Sequence, residues 1–155
     1  MAKATQNKPK IKGKHGTSKI KYDDIQSFKP THMKFNLSFV TTNNTFSFDN
    51  TKFTDVYKAQ FLKRMFELSS EDYIVISGRN KSIGIEFIDE SSLKRPVECK
   101  KGFYSSDHRK NASEKYAVFR LYSNNNPIAA RVIGKIVNKV FYVMFIDLAH
   151  ELYDG

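Results

Sequence analysis

The chain has 155 residues and a formal net charge of +10 at neutral pH, with 40% hydrophobic and 14% aromatic residues. This composition favours a packed globule over disorder, and the length fits one domain with a sizeable core. The single cysteine, Cys99, excludes an intramolecular disulfide and a zinc site built from several thiolates. Two interpretations of the positive charge stay open. It indicates a polyanionic partner, for which nucleic acid is favoured over an anionic membrane, or it only keeps the protein soluble.

Residues 1–30 differ in composition from the rest of the chain. They carry eight lysines against two aspartates, a net charge of +6, which leaves +4 for residues 31–155. We predict a flexible basic arm over 1–30, in which Lys12 and Lys14 contact phosphates, followed by one domain over 31–155. The alternative is a solvated tail. No apolar run follows the lysines and no stretch approaches ~20 apolar residues, so we expect a cytoplasmic protein without a membrane partner.

In the first half of the domain, apolar residues recur first at the two-residue spacing of a strand and then at the spacing of a helix. Residues 34–40 alternate apolar and polar side chains, and the alternation resumes at Phe46 and Phe48, which predicts a β-hairpin. A helix is predicted over about 54–68 with Thr54 as its cap. Its apolar stripe consists of Tyr57, Phe61, Met65 and Leu68.

The region after this helix has mixed signals. Residues 71–77 have an acidic start that favours a helix and a β-branched run that favours a strand, and we predict a short helix. Residues 78–82 form a basic turn in which Arg79 and Lys81 can contact a phosphate, although the turn is not a P-loop. Alternation over 83–87 predicts a strand.

A polar connection follows over 89–114, hereafter the basic connection. Connections of this length are usually functional or disordered. Phe103 and Tyr104 lie among three of its cations, which are Lys100, Lys101 and Arg109. Aromatic side chains among cations can stack single-stranded bases, whereas the slightly favoured alternative is a plug that fixes the connection to the domain.

The last third of the chain predicts three antiparallel strands separated by two turns. The apolar runs are 116–123, 128–136 and 140–146. The first two runs alternate, which predicts a solvent-facing surface with three cations, namely Arg120, Arg131 and Lys135. We therefore predict an α+β fold, with an antiparallel sheet of about five strands, made of the hairpin and a C-terminal meander, and one main helix packed on it. A curled, barrel-like sheet is the alternative.

The C-terminal segment resembles the tails of a group of short bacterial and mobile-element proteins. Those tails share an Arg and a Gly, a tight turn, and then Phe-Tyr-Val-x-Trp/Phe-x-Asp-Pro-Asn-His-x-Leu-Tyr. The matching residues here are Arg131, Gly134, Phe141, Tyr142, Val143, Phe145, Asp147, His150, Leu152 and Tyr153. The departure from that pattern is Leu148-Ala149 in place of Pro-Asn, and it concerns the geometry of the turn.

The order of a helix and a meander over roughly 52–153 also resembles the RelE-type toxins of toxin–antitoxin systems. Those proteins are small, basic mRNA endonucleases that use no metal. The resemblance rests on topology, and it implies an RNA-directed toxin with an acidic antitoxin or inhibitor protein as its partner.

Metal-free RNA cleavage needs a base for the 2′-hydroxyl, cations for the phosphorane and an acid for the leaving oxygen. We predict His150 as the base or acid, because imidazole titrates near neutrality. Arg131 is the predicted phosphate clamp, and Lys135 or Arg120 lies beside it. Tyr153 is predicted to orient the phosphate or donate a proton. No metal or other cofactor is predicted.

Other interpretations of the same residues stay open. In a structural role, Asp147 closes a turn, His150 bonds a backbone carbonyl and Tyr153 packs over the sheet edge. A second candidate function is a non-catalytic module from a mobile element that binds RNA, DNA or a protein. A third is an adaptor that binds only protein.

Overall fold

The computed structural model describes residues 31–155, apart from residues 97, 111 and 154. The predicted basic arm, with Lys12 and Lys14, lies outside the described residues. The strands are β1 (Lys34–Asn36), β2 (Glu86–Ile88), β3 (Tyr116–Arg120), β4 (Arg131–Val137) and β5 (Val140–Asp147). The helices are α1 (Asp55–Ser69) and α2 (Tyr73–Ser77), and 3-10 turns lie at Asn44–Phe46, Glu90–Ser92 and Phe103–Ser105.

The five strands form one sheet in the order β1-β5-β4-β3-β2. The α+β class, the five strands and the single main helix are confirmed. The sheet is mixed, however, because β1 pairs with β5 in parallel, while the other three pairs are antiparallel. None of the helices in the described part is both long and apolar enough to span a bilayer.

The predicted hairpin over 34–48 is wrong. Only residues 34–36 form a strand, because nearby side chains bond the backbone and compete with a second strand. The Asn36 side chain accepts from the backbone N–H of Ser38 at 2.9 Å, and Asn43 accepts from Thr45 at 2.9 Å. These bonds turn the chain away from its own strand and leave β1 to pair with β5.

The central hairpin of β4 and β5 forms as predicted. Asn138 and Lys139 have φ values of 51° and 64°, the left-handed pair that a tight two-residue turn requires. The register shifts once, between Ile133 and Gly134. A side chain at Gly134 would meet the Tyr142 carbonyl oxygen and lie 2.6 Å from Cε1 of Phe141, so this position requires glycine.

One face of the sheet is covered by α1. Phe61 and Leu68, from the predicted stripe, pack in one cluster with Phe119 and Val132. Arg64 lies on the flank of α1 and is only 7% exposed, because its guanidinium donates to the carbonyl oxygens of Arg120 and Ile83.

The other face of the sheet is covered by the basic connection. Phe103 is fully buried there with Ile133 and Phe145, so the plug interpretation is confirmed for this ring. Each buried phenylalanine contributes about 1.5–3 kcal/mol to folding, which fixes the connection to the sheet. The predicted solvent-facing surface on this side is wrong, since Arg131 and Lys135 are 1% and 2% exposed.

Candidate functional site

The register of the sheet places two arginines directly opposite each other. Arg120 on β3 pairs with Arg131 on β4, and Arg131 pairs in turn with Asp147 on β5. We call Arg120 and Arg131 the arginine pair. They alternate with residues of the α1-covered face, so they lie on the face that the basic connection covers.

Arg131 is held by several hydrogen bonds that leave one nitrogen unpaired. Its Nη1 donates to Oδ1 of Asn125 at 2.9 Å and to the Ala129 carbonyl oxygen at 3.1 Å, and its Nη2 donates to the Gly155 oxygen at 3.4 Å. The Nε atoms of Arg120 and Arg131 are both buried, and neither finds an acceptor among the described residues. A buried donor without an acceptor costs about 1–3 kcal/mol, so the pair is expensive to maintain.

The charges of the pair are not neutralised in place. No carboxylate in the described part of the chain lies within ion-pair distance of either guanidinium. Burial and the neighbouring charge of Arg120 lower the pKa of Arg131, while the charges of Glu86 and Asp147 act in the opposite direction. The guanidinium of Arg131 is therefore acted on by the like charge of Arg120 and by the opposite charges of two carboxylates.

Asp147 serves the turn after β5. It is fully buried, and its two carboxylate oxygens accept from the backbone N–H groups of Glu151 at 2.9 Å and Leu152 at 2.7 Å. The interpretation that Asp147 closes a turn is therefore confirmed. This turn holds His150 in the left-handed region at φ 58°, a conformation that non-glycine residues rarely adopt.

Three predicted catalytic residues meet at Gly155. Nε2 of His150 accepts from the Gly155 N–H at 3.4 Å, and the Gly155 oxygen accepts from Arg131. The ring of Tyr153 lies against Gly155, and its hydroxyl donates to Oε1 of Glu86 at 2.7 Å. Burial, followed by this bond and the charge of Glu86, raises the pKa of Tyr153 to about 12. The structure therefore places Arg131, His150 and Tyr153 around one backbone group.

Lys135, the fourth predicted catalytic residue, lies elsewhere. Its Nζ stands 4.6 Å from the ring centre of Tyr116 and donates to the Ser113 carbonyl oxygen at 2.8 Å. Burial lowers the pKa of Lys135. The lysine is thus sealed beneath the basic connection and is not brought together with His150.

The other residues predicted to contact nucleic acid fall into two groups. The first group consists of Arg79, Lys81 and Arg109, which are bound by other parts of the protein. Arg79 forms an ion pair with Glu71 at 2.5 Å, and Lys81 with Glu86 at 3.7 Å, so the basic turn is largely neutralised. Arg109 stands 4.6 Å from the ring centre of Phe39, and its Nε donates to the Phe103 carbonyl oxygen at 2.7 Å. This arginine therefore pins the basic connection.

Lys100 and Lys101 form the second group and are exposed. The Nζ of Lys100 donates to the Ser38 carbonyl oxygen at 3.1 Å. Both lysines line a groove beside Phe145, on the same face of the sheet as the arginine pair.

Sequence reasoning missed Glu86 and Asn125, which orient Tyr153 and Arg131. Asn125 carried only a turn signal, because it precedes Asn126-Pro127. Glu86 carried the weak signal of a carboxylate inside an otherwise apolar strand.

Among the residues that the structure describes, no three His, Cys, Asp or Glu side chains cluster as a metal site. No family model, curated protein or solved structure matches this chain. The interpretation of the site therefore rests on its own geometry.

Proposed function

We propose that this protein is an RNA-directed toxin or defence protein that cleaves RNA without a metal ion, in the manner of RelE-type endoribonucleases. The observation that supports this most is the arginine pair with its two buried, unpartnered Nε atoms. Arginine presents parallel N–H groups that match phosphate oxygens in a bidentate fashion. A phosphate bound here supplies the acceptors that the folded chain does not.

The charge of the pair suits the transition state better than the substrate. A phosphodiester carries one negative charge, and the pentavalent phosphorane formed on attack by the 2′-oxygen carries two. Two guanidinium groups in a poorly hydrated setting favour the doubly charged species. The cost of holding Arg120 and Arg131 together is thereby offset in the transition state.

His150 and Tyr153 are suited to the two proton transfers. His150 takes the proton of the 2′-hydroxyl through Nε2, the 2′-oxygen bonds to phosphorus, and the bond to the 5′-oxygen breaks. Tyr153 protonates the leaving 5′-oxygen, since a pKa of about 12 keeps its hydroxyl protonated at neutral pH. The products are a 2′,3′-cyclic phosphate and a 5′-hydroxyl. The phosphate takes the place of the Gly155 oxygen on Arg131, so the Gly155 backbone moves when RNA binds.

Cleavage of RNA in EDTA tests this proposal. The wild-type protein is expected to cleave single-stranded RNA and to arrest growth when expressed. Arg131→Ala and His150→Ala are expected to abolish both effects, and Lys63→Ala, which removes an exposed charge from α1, is the matched control. Intact RNA together with harmless expression would refute the proposal, and so would cleavage that survives in both variants.

A non-catalytic nucleic-acid-binding module is the second candidate. The observation that favours it is that Nε2 of His150 and the Tyr153 hydroxyl already have partners in the folded chain. In this case His150→Ala leaves RNA binding unchanged, Arg131→Ala weakens it, and affinity falls steeply with salt. Removal of residues 1–21 also weakens binding if the basic segment contacts phosphates.

The charge of the chain also bears on a protein partner. A net charge of +10 makes an acidic antitoxin or inhibitor protein a natural ligand for the face that binds RNA. Such a partner is expected to compete with RNA. Competition that is absent at low salt would argue against a shared surface.

A further inference from the structure

Helix α1 has a row of apolar side chains on the side that faces solvent. Val56, Leu62 and Phe66 are 69%, 61% and 71% exposed, and Ala59 between them is exposed as well. Their spacings of three, three and four residues place all four on one face of the helix. We call these four residues the outer stripe. It lies opposite the face of α1 that packs on the sheet.

The outer stripe takes no part in the folded core. None of its members belongs to either hydrophobic cluster in the described part of the chain. Single exposed apolar residues are normal on a protein surface, whereas a contiguous row of them marks an interaction site, and a helix that is apolar on both faces is usually buried on both. From Val56 to Phe66 the row is about 15 Å long and one side chain wide, which matches the seam between two packed helices.

Two lysines border the outer stripe, because Lys58 and Lys63 each lie four residues from one of its members. Lys63 is exposed and has no ion-pair partner among the described residues. Lys58 is paired with Asp55 at 3.9 Å in solvent, which is a weak interaction. Glu67 is already bound by the buried Arg64 at 3.0 Å. The border of the stripe therefore has an excess of positive charge.

We propose that the outer stripe docks an acidic amphipathic helix of another protein. The partner helix packs its apolar residues against Val56, Leu62 and Phe66, and carboxylates on its flanks pair with Lys58 and Lys63. A second copy of this chain fits less well, since each copy carries a net charge of +10 and brings the same lysines. The docking site is independent of the proposed function, because α1 covers the face of the sheet opposite to the arginine pair. A partner bound there leaves the pair uncovered, unlike an inhibitor that competes with RNA.

Two designed helical peptides of about 21 residues, or three heptads, test the docking site. Both carry leucine at positions a and d. One has glutamate at positions e and g, and the other has lysine there, so like charges keep each peptide from pairing with itself. Fluorescence anisotropy with the whole chain measures binding. The glutamate peptide is expected to bind at least about tenfold more tightly than the lysine peptide, and its affinity is expected to fall as salt rises.

Substitutions on α1 connect this binding to the outer stripe. Phe66→Ala is expected to weaken binding of the glutamate peptide at least about tenfold, because an aromatic anchor carries a large share of the energy of an interface. Lys63→Ala is expected to weaken it up to about fivefold, the effect of one exposed ion pair. Both side chains are exposed in the free protein, so neither change is expected to lower Tm. Tyr104→Ala, which removes an exposed aromatic ring of the basic connection, is the control and keeps the affinity.

Three results would overturn the docking proposal. The first is equal affinity for both peptides, or no binding of the glutamate peptide at about 100 μM, since the stripe then does not select an acidic helix. The second is a dimer in sedimentation velocity that Phe66→Ala dissociates, which would assign the stripe to a second copy. The third is flotation with phosphatidylglycerol vesicles that is lost in Phe66→Ala, which would assign it to a membrane surface. The proposed function is unaffected by all three, because its test uses variants of the arginine pair and of His150.

Discussion

Replacing Arg120 by methionine tests the physical cost of the arginine pair. Methionine keeps an unbranched apolar stem of similar length and removes the charge together with the buried Nε. The hydrogen bond from Arg64 to residue 120 is unaffected, because it uses the backbone oxygen. Arg120→Met is therefore expected to stabilise the free protein, although it removes half of the site.

The size of this effect follows from two contributions. Relief of one buried donor without an acceptor is worth about 1–3 kcal/mol. Removal of the like charge across from Arg131 adds about 0.2–1 kcal/mol. The gain from removing the unpaired donor is reduced, because Arg120 is only half-buried and the substitution also removes the part of its guanidinium that water solvates. We expect a net stabilisation of about 1–2 kcal/mol, or a rise in Tm of about 2–8 °C for a chain of this size.

In the presence of phosphate, the wild-type protein is expected to become more stable than Arg120→Met. The wild-type protein gains about 2.7 kcal/mol when phosphate stands at about 100 times its Kd, and Arg120→Met gains little. Urea unfolding with and without phosphate at constant ionic strength measures both effects, and Lys63→Met controls for the loss of one positive charge. If Arg120→Met is the less stable protein by more than about 1 kcal/mol in phosphate-free buffer, the reasoning is refuted.

Three further changes test other parts of the account. Gly134→Ala is expected to destabilise the domain by about 3 kcal/mol or more in urea unfolding, because the added methyl meets the Tyr142 backbone; a cost below about 1 kcal/mol would contradict this. Asp147→Ala leaves two turn N–H groups unpaired and is expected to cost about 2–4 kcal/mol, whereas Asp147→Asn keeps one acceptor and costs less. The pKa of Tyr153 is raised from 10.0 to about 12 in the folded state, so the stability it contributes is complete below pH 10 and is lost as the pH rises through 12. The stability difference between the wild-type protein and Tyr153→Phe is therefore expected to shrink by about 1 kcal/mol over that range in urea titrations, after allowance for solvent screening. A constant difference would contradict a Tyr153 pKa raised by burial and by the Glu86 bond.

Local patterns predicted the elements that depend on local forces. The stripe of α1 and the turn at Asn138 and Lys139 follow from side-chain spacing and backbone preference, and both form. The parallel pairing of β1 with β5 does not follow, because periodicity defines which face a strand buries and not which strand lies beside it. The failed hairpin after Asn36 has the same origin: the alternation was present, but side-chain bonds to the backbone prevailed.

The candidate site was predictable only as far as it depends on the spacing of residues along single strands. Alternation correctly places Arg120, Arg131 and Lys135 on one face of the sheet, since the period of a strand is two. It cannot predict what covers that face, which here is the basic connection, with Phe103 buried against the sheet and Ser113 accepting from Lys135. Lys135 is sealed as a result, while Arg131 lies near the strand end where Gly155 and His150 meet.

The central claim is that the arginine pair binds an oxyanion, and the Nε–H resonances of the arginines in a ¹⁵N-labelled sample test it most directly. On addition of inorganic phosphate, the resonances of Arg120 and Arg131 are expected to shift together with one Kd, and those of Arg79, Arg95 and Arg109 are expected to stay in place. If the two resonances do not move, or if all arginines shift alike, the pair is not an oxyanion site.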